Sequence, residues 1–143
     1  MIKVVIADDH MLVREAWKLI LGRDSRLSVI ALCDDGGAVV DACRELEPDV
    51  VLMDINMEPV NGIEATKQIR KFSETIKIIG ISIHNDYPYV KALMQAGANG
   101  YVTKNSSGDE MIRAIFETLN GQSYYCEDIT NNMTGIKNPE RDN

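Results

Sequence analysis

Five short apolar runs, each followed by a longer stretch with helical spacing, set the tightest limit on what this chain can fold into. The runs are Ile2 to Ala7, Leu27 to Cys33, Asp49 to Asp54, Ile76 to Ser82 and Gly100 to Thr103. The first, third and fourth have few polar breaks and many β-branched residues, the pattern of parallel strands buried on both faces. The stretches between them place apolar side chains at helical intervals. These are Leu12, Ala16, Leu19 and Ile20 in the first, and Val39, Cys43 and Leu46 in the second, with Pro48 just past its end. Val90, Leu93 and Met94 follow in the fourth, and Met111, Ile112, Ile115 and Leu119 in the fifth. Asn61 with Glu64, and Ser107 with Glu110, read as capping boxes. Asp86 before Tyr87 and Pro88 signals a helix start, and Gly121 can end the last helix. Gly36-Gly37 reads as a loop pair. Strict alternation with short connections predicts an α/β fold, doubly wound in three layers, with a parallel sheet of five strands between helices. In such folds ligands bind beyond the C-terminal strand ends, so the last residues of these strands are where function is sought.

A chain of 143 residues with 45% apolar content fits one domain able to bury its own core. Its net charge of -7 repels phosphate backbones, so direct nucleic-acid binding by these residues is not expected. No apolar run approaches the ~20 residues of a membrane helix. The N-terminus opens on a strand pattern rather than a leader, which points to the cytoplasm. Cys33, Cys43 and Cys126 match neither a disulfide framework nor a zinc site. They read as reduced, the first two as small core residues. From Gln122 the pattern changes. Tyr124 and Tyr125 still suit packing, but from Thr130 the chain is polar and aperiodic. The expected division is a domain over 1–121 and a linker or frayed tail over 122–143.

The strand ends carry the chemistry. Strand one is followed by Asp8 and Asp9. Strand three ends in Asp54, strand four in Ser82, and Lys104 follows strand five. Three carboxylates within about 5 Å repel by several kcal/mol per pair at an effective dielectric near 20, so a cation is called for. Magnesium suits the set, because it is hard and keeps waters alongside one or two carboxylates. Lys104 adds a positive charge and Ser82 a hydroxyl donor, both suited to phosphoryl oxygens. Together these describe an aspartate nucleophile that forms an aspartyl phosphate, with Asp54 as the nucleophile and Asp8 and Asp9 as metal ligands. Taken singly, each residue has a plainer reading: strand end, turn or solvated surface. Their joint placement is what carries the inference.

VVIADDH, DVVLMDINM, IIGIS and GYVTK, in that order and spacing over residues 1–121, resemble the response-regulator receiver family. The resemblance implies a flavodoxin-like sheet with strand order 2-1-3-4-5 and a phosphoryl group passed to Asp54 from a sensor histidine kinase with Mg. It also implies a metal contact from the Asn56 carbonyl. Ser82, Lys104 and Tyr101 form the implied switch, Ser82 swinging toward the phosphoryl group as Tyr101 turns inward. ADDHMLVREAW and GQSYY are similar to the LuxR/NarL-type subclass. That likeness implies a homodimer on activation, with DNA bound only through a helix-turn-helix output domain absent here. The fourth helix, fifth strand and fifth helix are the implied output surface. The family's loop usually reads Met-Pro, whereas here it is Met57-Glu58-Pro59, so Glu58 stands where metal affinity or partner choice can be tuned. His84, two past Ser82, sits where family members vary and phosphoryl lifetime is set. His10 is expected to be a surface loop residue, and Trp17 to be partly buried.

Four functions compete. The leading one is a phosphorylation switch that acts on itself alone and is not an enzyme for any metabolite. A phosphohydrolase needs a second aspartate where Asn56 stands. A flavin-binding domain needs a phosphate cradle where the acidic DDHM stands. A stand-alone or degenerate interaction module is disfavoured by the intact Asp8-Asp9, Asp54, Ser82 and Lys104. There is no G-x-G-x-x-G or Walker loop to support nucleotide binding.

Overall fold

The computed structural model describes residues 1–83 and 87–126. Along the chain lie β1 (Ile2–Ala7), α1 (Met11–Gly22), β2 (Leu27–Cys33), α2 (Gly36–Leu46), β3 (Val50–Asp54) and α3 (Gly62–Arg70). They are followed by β4 (Lys77–Ser82), α4 (Tyr87–Ala96), β5 (Gly100–Thr103), α5 (Gly108–Leu119) and β6 (Tyr124–Tyr125). All strands pair in parallel, in the order β2-β1-β3-β4-β5-β6. α1 and α5 pack together on one face, and α2, α3 and α4 follow one another on the other. β3 is buried at every residue, as its unbroken apolar run requires. No helix among the described residues is long and apolar enough to cross a membrane.

The sheet has six strands where five were expected, and the folded part continues past 121. β6 covers the edge of β5 left by β4, supplying partners for its backbone donors and acceptors. Tyr124 N–H donates to Asn99 O at 3.1 Å, Cys126 N–H donates to Tyr101 O at 3.1 Å, and Cys126 is buried. Two residues are too few for a period-two pattern to register in sequence. Because β6 runs parallel to β5, the chain at Cys126 heads for the same edge at which β1, β3 and β4 end.

The α1 stripe expected from Leu12, Ala16 and Leu19 faces solvent, with Leu12 79% and Leu19 62% exposed. The helix buries Trp17 and Leu21 instead, flanked by Val13 and Ile20. Two apolar stripes compete on this helix, and the one carrying the indole removes more area from water. Trp17 is thus 2% exposed rather than partly buried. Gly36-Gly37 is not a loop but the start of α2, capped by Asp35 Oδ1 accepting from Ala38 N–H at 2.8 Å. Gly36 N–H donates to Val60 O at 3.0 Å, and a Cβ at Gly36 would lie 2.3 Å from that oxygen. At the other two helix starts the cap half of each expected box is present: Asn61 Oδ1 accepts from Glu64 N–H at 2.8 Å, and Ser107 Oγ from Glu110 N–H at 3.1 Å. The helix start at Asp86 lies outside the described residues, as does the tail from 127 onward.

Candidate functional site

The ends of β1, β3, β4 and β5 converge on one edge because the strands are in register there. Asp54 lies opposite Ile81 and Ser82 opposite Thr103. Asp8, Asp54 and Ser82 are fully buried, while Asp9 is exposed. Lys104, just past β5, keeps 8% of its side chain exposed and reaches back over the sheet. Its Nζ stands 3.1 Å from Asp8 Oδ2 and 3.4 Å from Asp54 Oδ2. Asp54 Oδ1 accepts from Asn56 N–H at 3.1 Å, and Asn56 Nδ2 donates to Ser82 Oγ at 3.3 Å, joining the β3 loop to β4.

The loop after Asp54 is tight. A Cβ at Gly62 would lie 2.3 Å from Asp54 O, so only glycine lets α3 start this close to the strand end. On the other side, His10 N–H donates to Asp8 Oδ1 at 2.8 Å and Arg14 Nη1 to Asp8 O at 2.7 Å, fixing the β1–α1 turn.

Burial pushes the Asp54 carboxyl up from its ordinary 3.8 to about 6. The Asn56 N–H opposes that, Asp8 adds to it, Lys104 opposes it and Asp9 adds slightly. Asp8 Oδ2 is buried and accepts no hydrogen bond among the described residues, although the Lys104 ammonium is near. A proximate charge without an aligned N–H leaves its lone pairs unused. Ligand atoms of Asp8, Asp9, His10 and Asp54 all lie within 4.8 Å of one another. A buried oxygen without a hydrogen bond, among converging carboxylates that share one lysine, fits a divalent cation.

The structure therefore brings together Asp8, Asp9, Asp54, Asn56, Ser82 and Lys104. Tyr101 is fully buried on β5, away from the acids, beside Gly80. A Cβ at Gly80 would meet Leu93 at 2.1 Å and the Tyr101 ring at 3.2 Å, so the inward ring occupies space a side chain would need. Glu58 is exposed, its bond to Pro59 is cis, and it stands outside the converging ligand set. His84 lies outside the described residues. Two residues of the site were missed in sequence. Arg14 is one, and the expected loop residue His10 is the other. His10 Nδ1 is 3.1 Å from both Asp8 Oδ1 and Asp9 Oδ1, and 2.9 Å from Lys104 Nζ. Its place directly after an acidic pair was the available signal. An open cleft of about 890 Å³ beside Arg44, Phe72 and Leu119 lies at the far end of the sheet, away from these groups.

A doubly wound parallel sheet that gathers buried aspartates and a lysine over its switch point defines the receiver class of α/β domains. The chain belongs to the response regulator receiver domain family, which it matches over residues 4–116. It is 39% identical over 132 residues to the transcriptional regulatory protein DegU of Brevibacillus brevis, covering 92% of this chain and 56% of that protein. Over 133 residues it is 38% identical to the response regulator GacA of Pseudomonas aeruginosa, covering 93% of this chain and 62% of GacA. The chain thus spans about three-fifths of the length of these curated relatives. Among solved structures, a two-component response regulator of the LuxR family from Aurantimonas sp. SI85-9A1 superposes with a TM-score of 0.90 at 32% identity. That match covers 94% of this chain and 96% of the other.

Proposed function

We propose that this receiver is a phosphoacceptor switch in which Asp54 takes a phosphoryl group from a phosphohistidine of a sensor kinase. The observation that carries the reading is a fully buried Asp54 at the switch point, facing Asp8 and the Lys104 ammonium. An Asp54 oxygen attacks phosphorus in line as the P–N bond breaks. The bonding pair stays with the donor imidazole, which takes up a proton, and the acyl phosphate remains on the aspartate. Lys104 neutralises charge on the transferred group, and the Ser82 hydroxyl donates to one of its oxygens. Magnesium, when bound, would supply further charge neutralisation, and Asp8, Asp9, the Asp54 carboxylate and the Asn56 carbonyl are the groups to hold it.

Phosphorylation relieves the crowding differently in two packings of β4 and β5, so Ser82 and Tyr101 shift population together. The 3.3 Å Asn56–Ser82 hydrogen bond supports that coupling. Glu58 tunes metal affinity or partner choice, and Asn56 and His84 tune phosphoryl lifetime. The protein turns over no metabolite and acts only on itself. Its setting is the cytoplasm. Its partners are a sensor histidine kinase and, on activation, a second copy. Control of transcription, and contact with DNA, belong to a helix-turn-helix output region outside these residues; the longer relatives are response and transcription regulators by name.

Intact mass after incubation with a small phosphodonor, with and without magnesium, tests this for wild type and Asp54→Asn. A magnesium-dependent gain of one phosphoryl group in wild type, lost in the variant, is the expected result. Equal uptake by Asp54→Asn would overturn the assignment.

A further inference from the structure

β6 is two residues long, and their side chains alternate across the sheet. Tyr124 lies opposite Gly100, and Tyr125 opposite Tyr101. A Cβ at Gly100 would lie 3.4 Å from Thr118 of α5 and 3.5 Å from the Tyr124 Cβ, so Tyr124 stands on the α5 side. Its hydroxyl donates to Glu110 Oε2 at 3.2 Å, which fastens β6 to the first turn of α5. Burial, with Glu110 beside it, pushes the Tyr124 phenol up to about 12, so the hydroxyl keeps its proton for that bond. Alternation then puts Tyr125 on the α4 side, the face that holds Tyr101. Tyr125 is half-buried, and burial together with Tyr87 at the start of α4 holds its phenol above the ordinary value.

Tyr101 is fully buried on that face. Its flank toward β4 is closed, because Gly80 is its register partner there and Leu93 of α4 fills the space over Gly80. On the other flank stands Tyr125, one strand spacing of about 4.8 Å away. A ring turning outward crosses the position of Tyr125. We propose that Tyr125 is a positioning residue that gates Tyr101: with β6 seated the Tyr101 ring is held inward, and it turns out only when Tyr125 moves aside. The inference rests on the reading of Tyr101 as part of the phosphorylation switch and deepens it by naming what limits the turn. Tyr124 latches the gate through its bond to Glu110. The seat is thin, two residues in register, and it opens without unfolding the sheet because β5 keeps β4 on its other side. Phosphorylation and the seating of β6 favour the same inward packing, so by linkage each raises the population of the other.

Fluorine NMR of the full chain carrying fluorotyrosine tests the gate, with the Tyr101 signal assigned by its loss in Tyr101→Phe. Wild type, Tyr125→Ala, Tyr125→Phe and Tyr124→Phe are compared without and with a small phosphodonor and magnesium. Tyr125 is half-buried at a sheet edge, so its substitutions leave the core in place. The expected result is one buried Tyr101 signal in wild type and a second, solvent-exposed one in unphosphorylated Tyr125→Ala. Tyr125→Phe should restore the single signal, because the ring and not the hydroxyl fills the flank. Phosphodonor should shrink the exposed signal of Tyr125→Ala severalfold. Tyr124→Phe should speed exchange of the Cys126 amide, which donates to Tyr101 O, by about tenfold. A Tyr101 signal in Tyr125→Ala identical to that of wild type would overturn the gate and leave the switch reading standing. An exposed signal that does not shrink, although intact mass shows Asp54 phosphorylated, would overturn the switch role of Tyr101 while the gate stands.

Discussion

The two ends of the sheet hold similar polar residues and use them differently. At the N-terminal edge Asp49, Asn99 and Arg70 each hold backbone groups. Asp49 Oδ2 accepts from Lys3 N–H at 2.8 Å, and Asp49 O from Lys77 N–H at 3.0 Å. Asn99 Oδ1 accepts from Ile78 N–H and from Arg70 Nη2, both at 2.9 Å, and Arg70 also bonds Gly97 O and Ser73 O. At the C-terminal edge, carboxylates crowd one lysine, a buried oxygen goes without a hydrogen bond, and Asp54 is pushed up toward 6. A satisfied polar edge fixes strand positions. An edge left electrostatically incomplete is poised to take up a charged ligand, and strained titration of this kind gathers where chemistry is done.

That division can be broken from either end. The largest stability effect should come from the satisfied edge. Asn99→Ala strands the Ile78 amide and part of the Arg70 guanidinium, which should cost about 3 kcal/mol. Urea unfolding measures this, and phosphoryl uptake by Asp54 should persist. A loss of uptake together with stability would erase the distinction between the two edges.

The incomplete edge should behave in the opposite sense. The folded-state value for Asp54 lies above its ordinary 3.8, near 6, so between these pH values the folded protein holds more protons than the unfolded chain. Its contribution is therefore least unfavourable below about pH 4, and stability is lost as pH rises through about 6. Without divalent ions, Asp54→Asn should match wild type near pH 4 and exceed it by about 2 kcal/mol above pH 7. A variant no more stable than wild type at pH 7 would mean that the carboxylate carries no stored electrostatic cost. The smallest effect is local. Asn61→Ala removes the cap of α3 and should cost about 1 kcal/mol by thermal unfolding, with phosphorylation intact.

Most of the framework was readable because buried parallel strands announce themselves as unbroken apolar runs and because Asp8, Asp54, Ser82 and Lys104 each follow such a run. Capping at Asn61 and Ser107 was local chemistry and equally readable. What escaped depended on which of two compatible arrangements wins in three dimensions. α1 offers two apolar stripes, and only packing against the sheet chooses Trp17 and Leu21 over Leu12 and Leu19. Tyr124 and Tyr125 extend the sheet because β5 needs an edge partner, a demand invisible in their own spacing. His10 and Arg14 look like ordinary loop and helix residues until the β1–α1 turn folds them back over Asp8.

The parallel course of β6 has one more consequence. Cys126 N–H donates to Tyr101 O, so the last described residue is fastened to the strand that carries Tyr101 and leads into Lys104. Among the described residues β6 pairs with β5 alone, so a change in how β5 packs passes directly to β6.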